Sequence, residues 1–154
     1  PTREQALEWL KSQGVQDAER KLTEAGGMPL AVFDEDARFR LADETRERFL
    51  AYLKLGHAAP PAQALSVADK DVTLSAAALF LSRWGWDLAS AKVGCEPQYF
   101  PEFAEEIKTI AQAANPTGLY TWINSVRDIR RVSEHPLNAK TMIEALLISY
   151  ARNI

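Results

Sequence analysis

The sequence predicts an all-α protein, and three observations support that prediction. Apolar residues recur at helical spacing along most of the 154-residue chain. Proline, glycine and asparagine interrupt these segments at short turns, which favours antiparallel neighbouring helices. No segment alternates apolar and polar residues as a half-buried strand does. The expected architecture is a small helical unit over residues 1–35, followed by an antiparallel helical bundle over residues 36–154.

The first helix is predicted from its start and stop signals. Thr2 and Gln5 have the spacing of a capping box, in which each residue's side chain bonds the other's backbone amide. Gly14 is expected to end this helix. Its expected apolar side is Ala6, Leu7, Trp9 and Leu10.

Two further helices are predicted in the small unit. Asp17 is expected to cap the second helix, which stops at the glycine pair 26–27. Pro29 suits the first turn of a third, short helix that ends at Phe33. The acidic residues 34–36 form a polar break before the bundle.

The bundle is predicted from five periodic segments, a short helix over residues 62–68, and an ordered loop over residues 93–103 whose aromatic residues need cover. The residues expected in its core are Leu41, Thr45, Phe49, Leu50 and Leu53; Leu74, Ala77, Ala78, Leu81, Trp84 and Leu88; Ile107, Ile110, Ala111 and Ala114; Leu119, Trp122, Ile123, Val126 and Ile129; and Ile143, Leu146, Leu147 and Tyr150.

Composition excludes several classes of protein. The net charge of −3 argues against a chain that grips nucleic acid mainly through its own basic surface. A single cysteine allows neither an internal disulfide nor a cysteine-rich zinc site, and it fits a reducing compartment. No apolar run is long enough to span a membrane. The chain begins with proline, so we expect a fragment or a processed chain.

The sequence shows no catalytic constellation and no metal or cofactor site. His57 and His135 stand in turn-like sequence and are expected to be exposed. Cys95 is expected to be a small packed residue, although a nucleophile is the alternative. The carboxylate pairs 34/36, 43/44 and 105/106 lie on segments expected to be solvated. Neither common glycine-rich phosphate-binding pattern occurs.

Two sets of residues are candidates for a subunit interface. Arg127, Arg130 and Arg131 lie within one turn of each other in "RDIRR", where solvation or interaction with the helix C-terminus is the simpler explanation. In the last segment, "EHPLNAKTMIEALLISY", Asn138 is a plausible N-cap. Three of its apolar residues lack an obvious intramolecular partner: Met142, Ile148 and Ala151. Ile148→Asp is therefore expected to weaken assembly and to leave the fold intact.

The four tryptophans suggest core packing more than stacking on nucleic-acid bases. Trp9, Trp84 and Trp122 lie within apolar stripes, whereas the placement of Trp86 stays open between core and surface.

The order of motifs resembles the C-terminal region of AAA+ clamp-loader subunits of bacterial DNA polymerase III. "PTREQALEWLKSQGVQDAERKLTEAGGMPLAVFD" resembles their lid. "DLASAKVG", "YFPEFAEEI", "ANPTGLYTWINSVRDIRR" and "HPLNAKTMIEALLISY" resemble their helical collar. ATP-binding members carry a sensor 2 arginine in the matching stretch. Here Gly26, Gly27, Met28 and Pro29 occupy that stretch, and Pro29 stands where the arginine would be.

The resemblance implies a non-catalytic stator without a cofactor, located in the cytoplasm. Its partners would be the gamma or tau and the delta subunits, bound through the collar. DNA and the sliding clamp would be contacted only through the assembled loader.

Three alternatives stay open. One is an ATP-binding gamma/tau-type subunit with an altered sensor 2, which an intact GxxxxGK[ST] before Pro1 would favour. Another is an unrelated helical interaction module. The third is an enzyme or small-molecule binder that uses the Cys95 loop.

Overall fold

A computed structural model describes residues 2–34, 40–69, 71–132 and 139–154, and this part of the chain contains helices and no strand. The all-α prediction is therefore confirmed for these residues. The α-helices are α1 (Arg3–Ser12), α2 (Ala18–Glu24), α3 (Ala31–Asp34), α4 (Asp43–Leu53), α5 (Pro61–Ala64), α6 (Leu74–Lys92), α7 (Ala104–Ala113), α8 (Pro116–Val132) and α9 (Ala139–Asn153). Single 3-10 turns lie at Gly56–Ala58 and Pro101–Phe103.

The two predicted N-caps of the small unit have different outcomes. At α1 the capping box is present, because the Gln5 amide donates to Thr2 Oγ1 at 3.3 Å and the Thr2 amide donates to Gln5 Oε1 at 3.0 Å. The prediction that Asp17 caps α2 is wrong. Asp17 adopts a left-handed backbone conformation (φ 53°) and makes no side-chain cap. An N-cap needs an extended backbone to aim its side chain at the first helical amides.

Helix α4 begins later than its sequence pattern suggests. The periodic segment starts at residue 37, but α4 starts at Asp43, after Ala42 with a non-helical backbone (φ −59°, ψ 148°). Asp43 and Glu44 then occupy the first turn, where carboxylates interact favourably with the positive end of the helix dipole.

Buried apolar residues form two separate clusters. The smaller one lies in the small unit and comprises Ala6, Leu10, Ala18, Leu22, Ala25 and Val32. The larger one joins α4 to α9 and contains nearly all the residues predicted to form the bundle core. Leu41, Ile123 and Ile129 are only partly buried, and they pack against its edge. The predicted domain boundary near residue 35 falls outside the described residues and stays a prediction.

Helix α6 is the centre of the bundle, in contact with α7, α8 and α9. Two glycines on these helices allow close approach. A Cβ on Gly85 of α6 would lie 3.0 Å from Ile123 Cγ1 on α8. A Cβ on Gly118 of α8 would lie 2.0 Å from the carbonyl oxygen of Asn153 on α9, which is a hard clash. The helix spacing therefore depends on these two positions lacking a side chain.

A buried hydroxyl connects three helices of the bundle. Tyr150 on α9 donates its hydroxyl proton to the carbonyl oxygen of Leu53 on α4 at 2.7 Å, and it accepts from Trp84 Nε1 on α6 at 3.1 Å. Because an indole N–H can only donate, the direction of both bonds is fixed.

Two more side-chain donors reach neighbouring carbonyl groups of α9. Tyr52 on α4 donates to the carbonyl oxygen of Leu147 at 2.9 Å. Trp122 on α8 donates its Nε1 proton to the carbonyl oxygen of Leu146 at 2.9 Å. Helix α9 is therefore bonded from three sides within a largely apolar core.

Candidate functional site

Asp87 is a buried carboxylate in the C-terminal part of the apolar helix α6. Asp87 is 0% exposed. Its two carboxylate oxygens accept hydrogen bonds from three consecutive backbone amides of the following loop. Oδ1 accepts from Gln98 at 2.8 Å and from Tyr99 at 3.2 Å. Oδ2 accepts from Tyr99 at 3.0 Å and from Phe100 at 2.7 Å. Asp87 thus fixes the backbone of residues 98–100 against α6.

Two opposing effects act on the pKa of Asp87. Burial raises the pKa above its ordinary value because it disfavours the charged form. The amide bonds from Gln98, Phe100 and Tyr99 oppose that rise, since they stabilise the anion. The geometry, with every contact donated by a backbone amide, fits a carboxylate that organises the loop.

Sequence reasoning did not identify Asp87 as a functional residue. The sequence did contain one signal for Asp87, namely an acidic residue within the apolar segment "RWGWDLAS". Asp87 is adjacent in sequence to Leu88, which is buried. A buried carboxylate needs donors, and the aromatic loop that follows α6 could have been expected to provide them. The prediction that this loop is ordered agrees with its contacts, and Phe100 is buried.

The loop held by Asp87 contacts the small unit at the turn after α2. Gln98 donates its side-chain Nε2 proton to the carbonyl oxygen of Gly26. A Cβ on Gly26 would lie 2.7 Å from Tyr99 Cε1, and Gly26 has a φ of +66°. This position therefore requires glycine both for its backbone and for the ring beside it. The turn after α2 is a docking point between the two clusters.

Ion pairs lie around the same contact. Arg46 on α4 reaches Glu102 Oε1 at 3.3 Å and Glu24 Oε1 at 4.0 Å. Arg20 on α2 reaches Asp43 Oδ1 at 3.6 Å. These pairs are partly exposed to water, so each is expected to contribute little to stability. They nonetheless place two arginine side chains, Arg20 and Arg46, along the line where the small unit meets the bundle.

The predicted sensor 2 stretch forms this docking turn. Gly26 and Gly27 both have positive φ, at 66° and 80°. Met28 is exposed. The Val32 amide donates a hydrogen bond to the carbonyl oxygen of Pro29 at 3.3 Å as the chain enters α3. Proline provides neither a charged side chain nor an amide donor, so Pro29 cannot make the phosphate contact of an arginine.

The predicted interface residues occupy two different environments. Arg127 is exposed on α8, and the side chains of Arg130 and Arg131 lie outside the described part of the chain. Met142, Ile148 and Ala151 are partly buried and pack against the bundle core. The expectation that these three lack an intramolecular partner is therefore wrong, because each packs against the larger cluster. Their role in an interface stays a prediction.

Two of the four tryptophans are core residues, as predicted. Trp84 and Trp122 are fully buried. Trp9 is 39% exposed and makes an edge contact with Phe33, with ring centroids 5.7 Å apart, so its placement in the core is wrong. Trp86 is 58% exposed and is the most solvent-facing aromatic residue of α6. Its neighbours along the helix fill the core, which leaves the indole in solvent.

The cysteine and histidine predictions also separate. Cys95 is an exposed free thiol, so the prediction that it is packed is wrong. Cys95 follows Gly94, just after the end of α6. Its backbone amide donates to the carbonyl oxygen of Ser90 at 2.9 Å, and its side chain is exposed. His57 is exposed in a 3-10 turn, as expected. His135 and the proposed N-cap Asn138 lie outside the described residues.

The carboxylate pairs do not form a metal site in the described ranges. Asp43, Glu44, Glu105 and Glu106 are exposed, and Asp36 lies outside the described residues. Across the described ranges, no group of three or more His, Cys, Asp or Glu side chains is arranged to hold a metal ion. The helices of those ranges are also too short or too polar to cross a membrane.

Comparisons of this chain with protein-family models, with curated proteins and with solved structures find no match.

Proposed function

We propose that this chain is the lid and collar of a clamp-loader stator, of the type represented by the delta prime subunit of bacterial DNA polymerase III. In this role the chain carries out no catalysis and binds no ATP. It holds neighbouring subunits together while the assembled loader opens a sliding clamp and places it on primed DNA. The proposal rests on the ordered sequence motifs and on the chemistry of one turn.

The turn at Gly26 is the observation that carries the proposal. In ATP-binding clamp-loader subunits, the matching stretch delivers an arginine to the nucleotide phosphates. In this chain the stretch has Pro29 at that position, and its Gly26 carbonyl accepts from Gln98 of the bundle. The backbone therefore serves to join two helical units instead of contacting a nucleotide. A hydrogen-bonded contact between lid and collar suits a subunit that acts as a fixed support.

Trp86 is the residue we assign to the contact with a neighbouring collar. It is a large exposed aromatic group on the central helix of the bundle, and aromatic residues are enriched at the centres of protein interfaces. Because the indole is in solvent, removing it should leave the core intact. It is thus a better probe of assembly than the partly buried Ile148.

The test is to mix this chain with the collar domains of gamma and delta subunits and to measure complex formation by size-exclusion chromatography with light scattering. We expect a complex at micromolar concentrations and a weaker one with Trp86→Ala. Leu65→Ala, which truncates another exposed apolar residue, is the matched control and should bind as the parent chain does. Absence of any complex at tens of micromolar protein would contradict the proposed function.

A further inference from the structure

The outward face of helix α6 carries an uncharged stripe that runs the length of the helix. Successive residues of the stripe are separated by alternating steps of four and three positions, which places them along one side of an α-helix. Trp86 and Val93 are exposed, and the other members are partly exposed. We call this stripe the α6 seam, and it consists of Ser75, Leu79, Ser82, Trp86, Ala89 and Val93.

The charged residues of α6 are Arg83, Asp87 and Lys92, and all three interact with other parts of the chain. Asp87 holds the following loop through its backbone amides. The guanidinium of Arg83 lies over the ring of Tyr99, with its Cζ 5.5 Å from the centroid. Lys92 Nζ donates to the carbonyl oxygen of Ala111 on α7 at 2.9 Å. The α6 seam is therefore free of charge, as the centres of protein interfaces tend to be.

The spacing of the α6 seam favours an α-helix as its partner. Alternating steps of three and four positions form the seam of a coiled coil, in which side chains of one helix fill holes between side chains of the other. An extended strand repeats every two residues and does not match this spacing over several turns. Between Ser75 and Val93 the helix offers roughly 27 Å of contact, at about 1.5 Å per residue.

Large and small side chains alternate along the α6 seam, and this alternation makes the seam complementary to itself. With an antiparallel second copy and a two-fold axis beside residue 84, every large residue meets a small one. The pairs are Leu79 with Ala89, Trp86 with Ser82, and Val93 with Ser75. Each pair occurs twice, because a two-fold axis relates the copies. A parallel pair would instead set Trp86 against Trp86 and leave gaps between the small residues.

The central pair of the α6 seam is also complementary in hydrogen bonding. The Ser82 hydroxyl donates to the carbonyl oxygen of Ala78 at 2.8 Å, so its proton is already bonded within α6. Its oxygen keeps the capacity to accept, whereas the Trp86 indole offers a donor and no acceptor. In the antiparallel pair, Ser82 of the second copy therefore offers the indole N–H an acceptor where water is removed.

We infer that the α6 seam pairs two copies of this chain, antiparallel about a two-fold axis. A contact of about 27 Å lies at the small end of specific interfaces, below about 1,200 Å² in total, so we expect a dissociation constant on the order of 100 µM. The inference does not rest on the proposed function, because it concerns this chain alone. Both contacts use Trp86, so partner collars should compete with the second copy and dissociate the dimer.

Sedimentation equilibrium of this chain alone, from about 10 to about 500 µM, measures the self-association. Val93→Lys should weaken the dimer about tenfold or more, because it places a charge within an apolar contact. Leu30→Lys is the matched control, since Leu30 is 69% exposed, close to the 71% of Val93, and lies in the small unit. It should dimerise as the parent chain does. Circular dichroism checks that both variants remain helical.

The single cysteine reports the direction of the pair. Cys95 is exposed and lies two residues beyond Val93, so a nitroxide label on its thiol identifies the C-terminal end of the α6 seam. The labelled chain is mixed with a ¹⁵N-labelled chain carrying Cys95→Ser, so that any broadening of the ¹⁵N amide signals comes from the second copy. Antiparallel pairing should broaden the amides of residues 75–76 more than those of residues 91–92.

Any of four results would overturn the inference: a monomer at about 500 µM, Val93→Lys that dimerises as the parent chain does, an equal loss in Leu30→Lys, or broadening confined to residues 91–92. The proposed function is judged separately. A monomer that binds partner collars through Trp86 would show that another helix covers the α6 seam, so the inference would fail and the proposed function would stand. A dimer that binds no partner collar would support the inference and contradict the proposed function.

Discussion

Replacing Asp87 with asparagine should weaken the fold through a single loop. Asparagine keeps the size of the side chain but offers one acceptor oxygen, which could still serve the amides of Gln98 and Tyr99. The buried amide of Phe100, now 2.7 Å from Oδ2, would face a second donor. Losing a hydrogen bond to a charged group costs about 1.5–3 kcal/mol, and an unsatisfied buried amide costs about 1–3 kcal/mol.

These two costs overlap, and relief of the buried charge offsets part of them. We therefore expect Asp87→Asn to lower the free energy of unfolding by about 2–3 kcal/mol, or the Tm by roughly 4–12 °C for a chain of this length. Urea denaturation followed by circular dichroism measures the change. Compared with the parent chain, Asp87→Asn should speed amide hydrogen exchange more at residues 98–100 than in α8.

Asp128→Asn is the matched control, because Asp128 is exposed on α8. It should stay within about 0.5 kcal/mol of the parent chain. If Asp87→Asn does the same, and exchange of the loop amides is unchanged, then the carboxylate does not organise the loop and the reasoning fails.

Three further changes test the packing of the bundle. Gly118→Ala places a methyl group 2.0 Å from the Asn153 carbonyl oxygen. It should lower the free energy of unfolding, measured by urea denaturation, by about 1–3 kcal/mol. An unchanged urea midpoint would show that α8 and α9 do not approach this closely. Ile148→Asp should destabilise the chain by about 2 kcal/mol, measured by thermal denaturation, because Ile148 packs against the core. An unchanged stability would show that Ile148 is a surface residue, as the sequence predicted. Burial raises the pKa of Tyr150, so the folded state keeps its proton where an unfolded tyrosine, with a pKa of about 10, loses it. Stability should therefore be retained below about pH 10 and fall above it by up to about 1.4 kcal/mol per pH unit, and Tyr150→Phe, although less stable throughout, should show a shallower fall in denaturation measured across this range.

Periodicity predicted the buried side of each bundle helix well. In α4, Thr45, Phe49 and Leu53 recur every four residues, and all three are buried because one helix face meets one core. The same reasoning misplaced Trp9, which lies beside Leu10 at the edge of the apolar stripe. A stripe in the sequence has no information on how far a neighbouring helix extends. In the small unit the Trp9 indole makes an edge contact with the ring of Phe33 and stays 39% exposed.

The docking turn could be predicted only in part. Two adjacent glycines indicated a sharp turn after α2, which the positive φ values bear out. That Gly26 lies against Tyr99 depends on a contact between residues far apart in the chain, and no local pattern encodes it. Asp87 was missed for a related reason, because its partners are backbone amides, which every residue except proline carries.

The bonds around α9 also bear on when the chain can reach its final arrangement. Tyr52 and Leu147 are 95 residues apart in sequence, and Tyr150 and Leu53 are 97 apart. Contacts of such long range form late, because the entropy of closing the intervening loop is lost before any contact compensates for it. During synthesis, α4 must therefore keep the Tyr52 hydroxyl and the Leu53 carbonyl group hydrated until α9 has been made. The cluster that joins α4 to α9 is completed only when α9 is present, and a ribosome-bound chain lacking α9 would hold α4, α6 and α8 in a looser association.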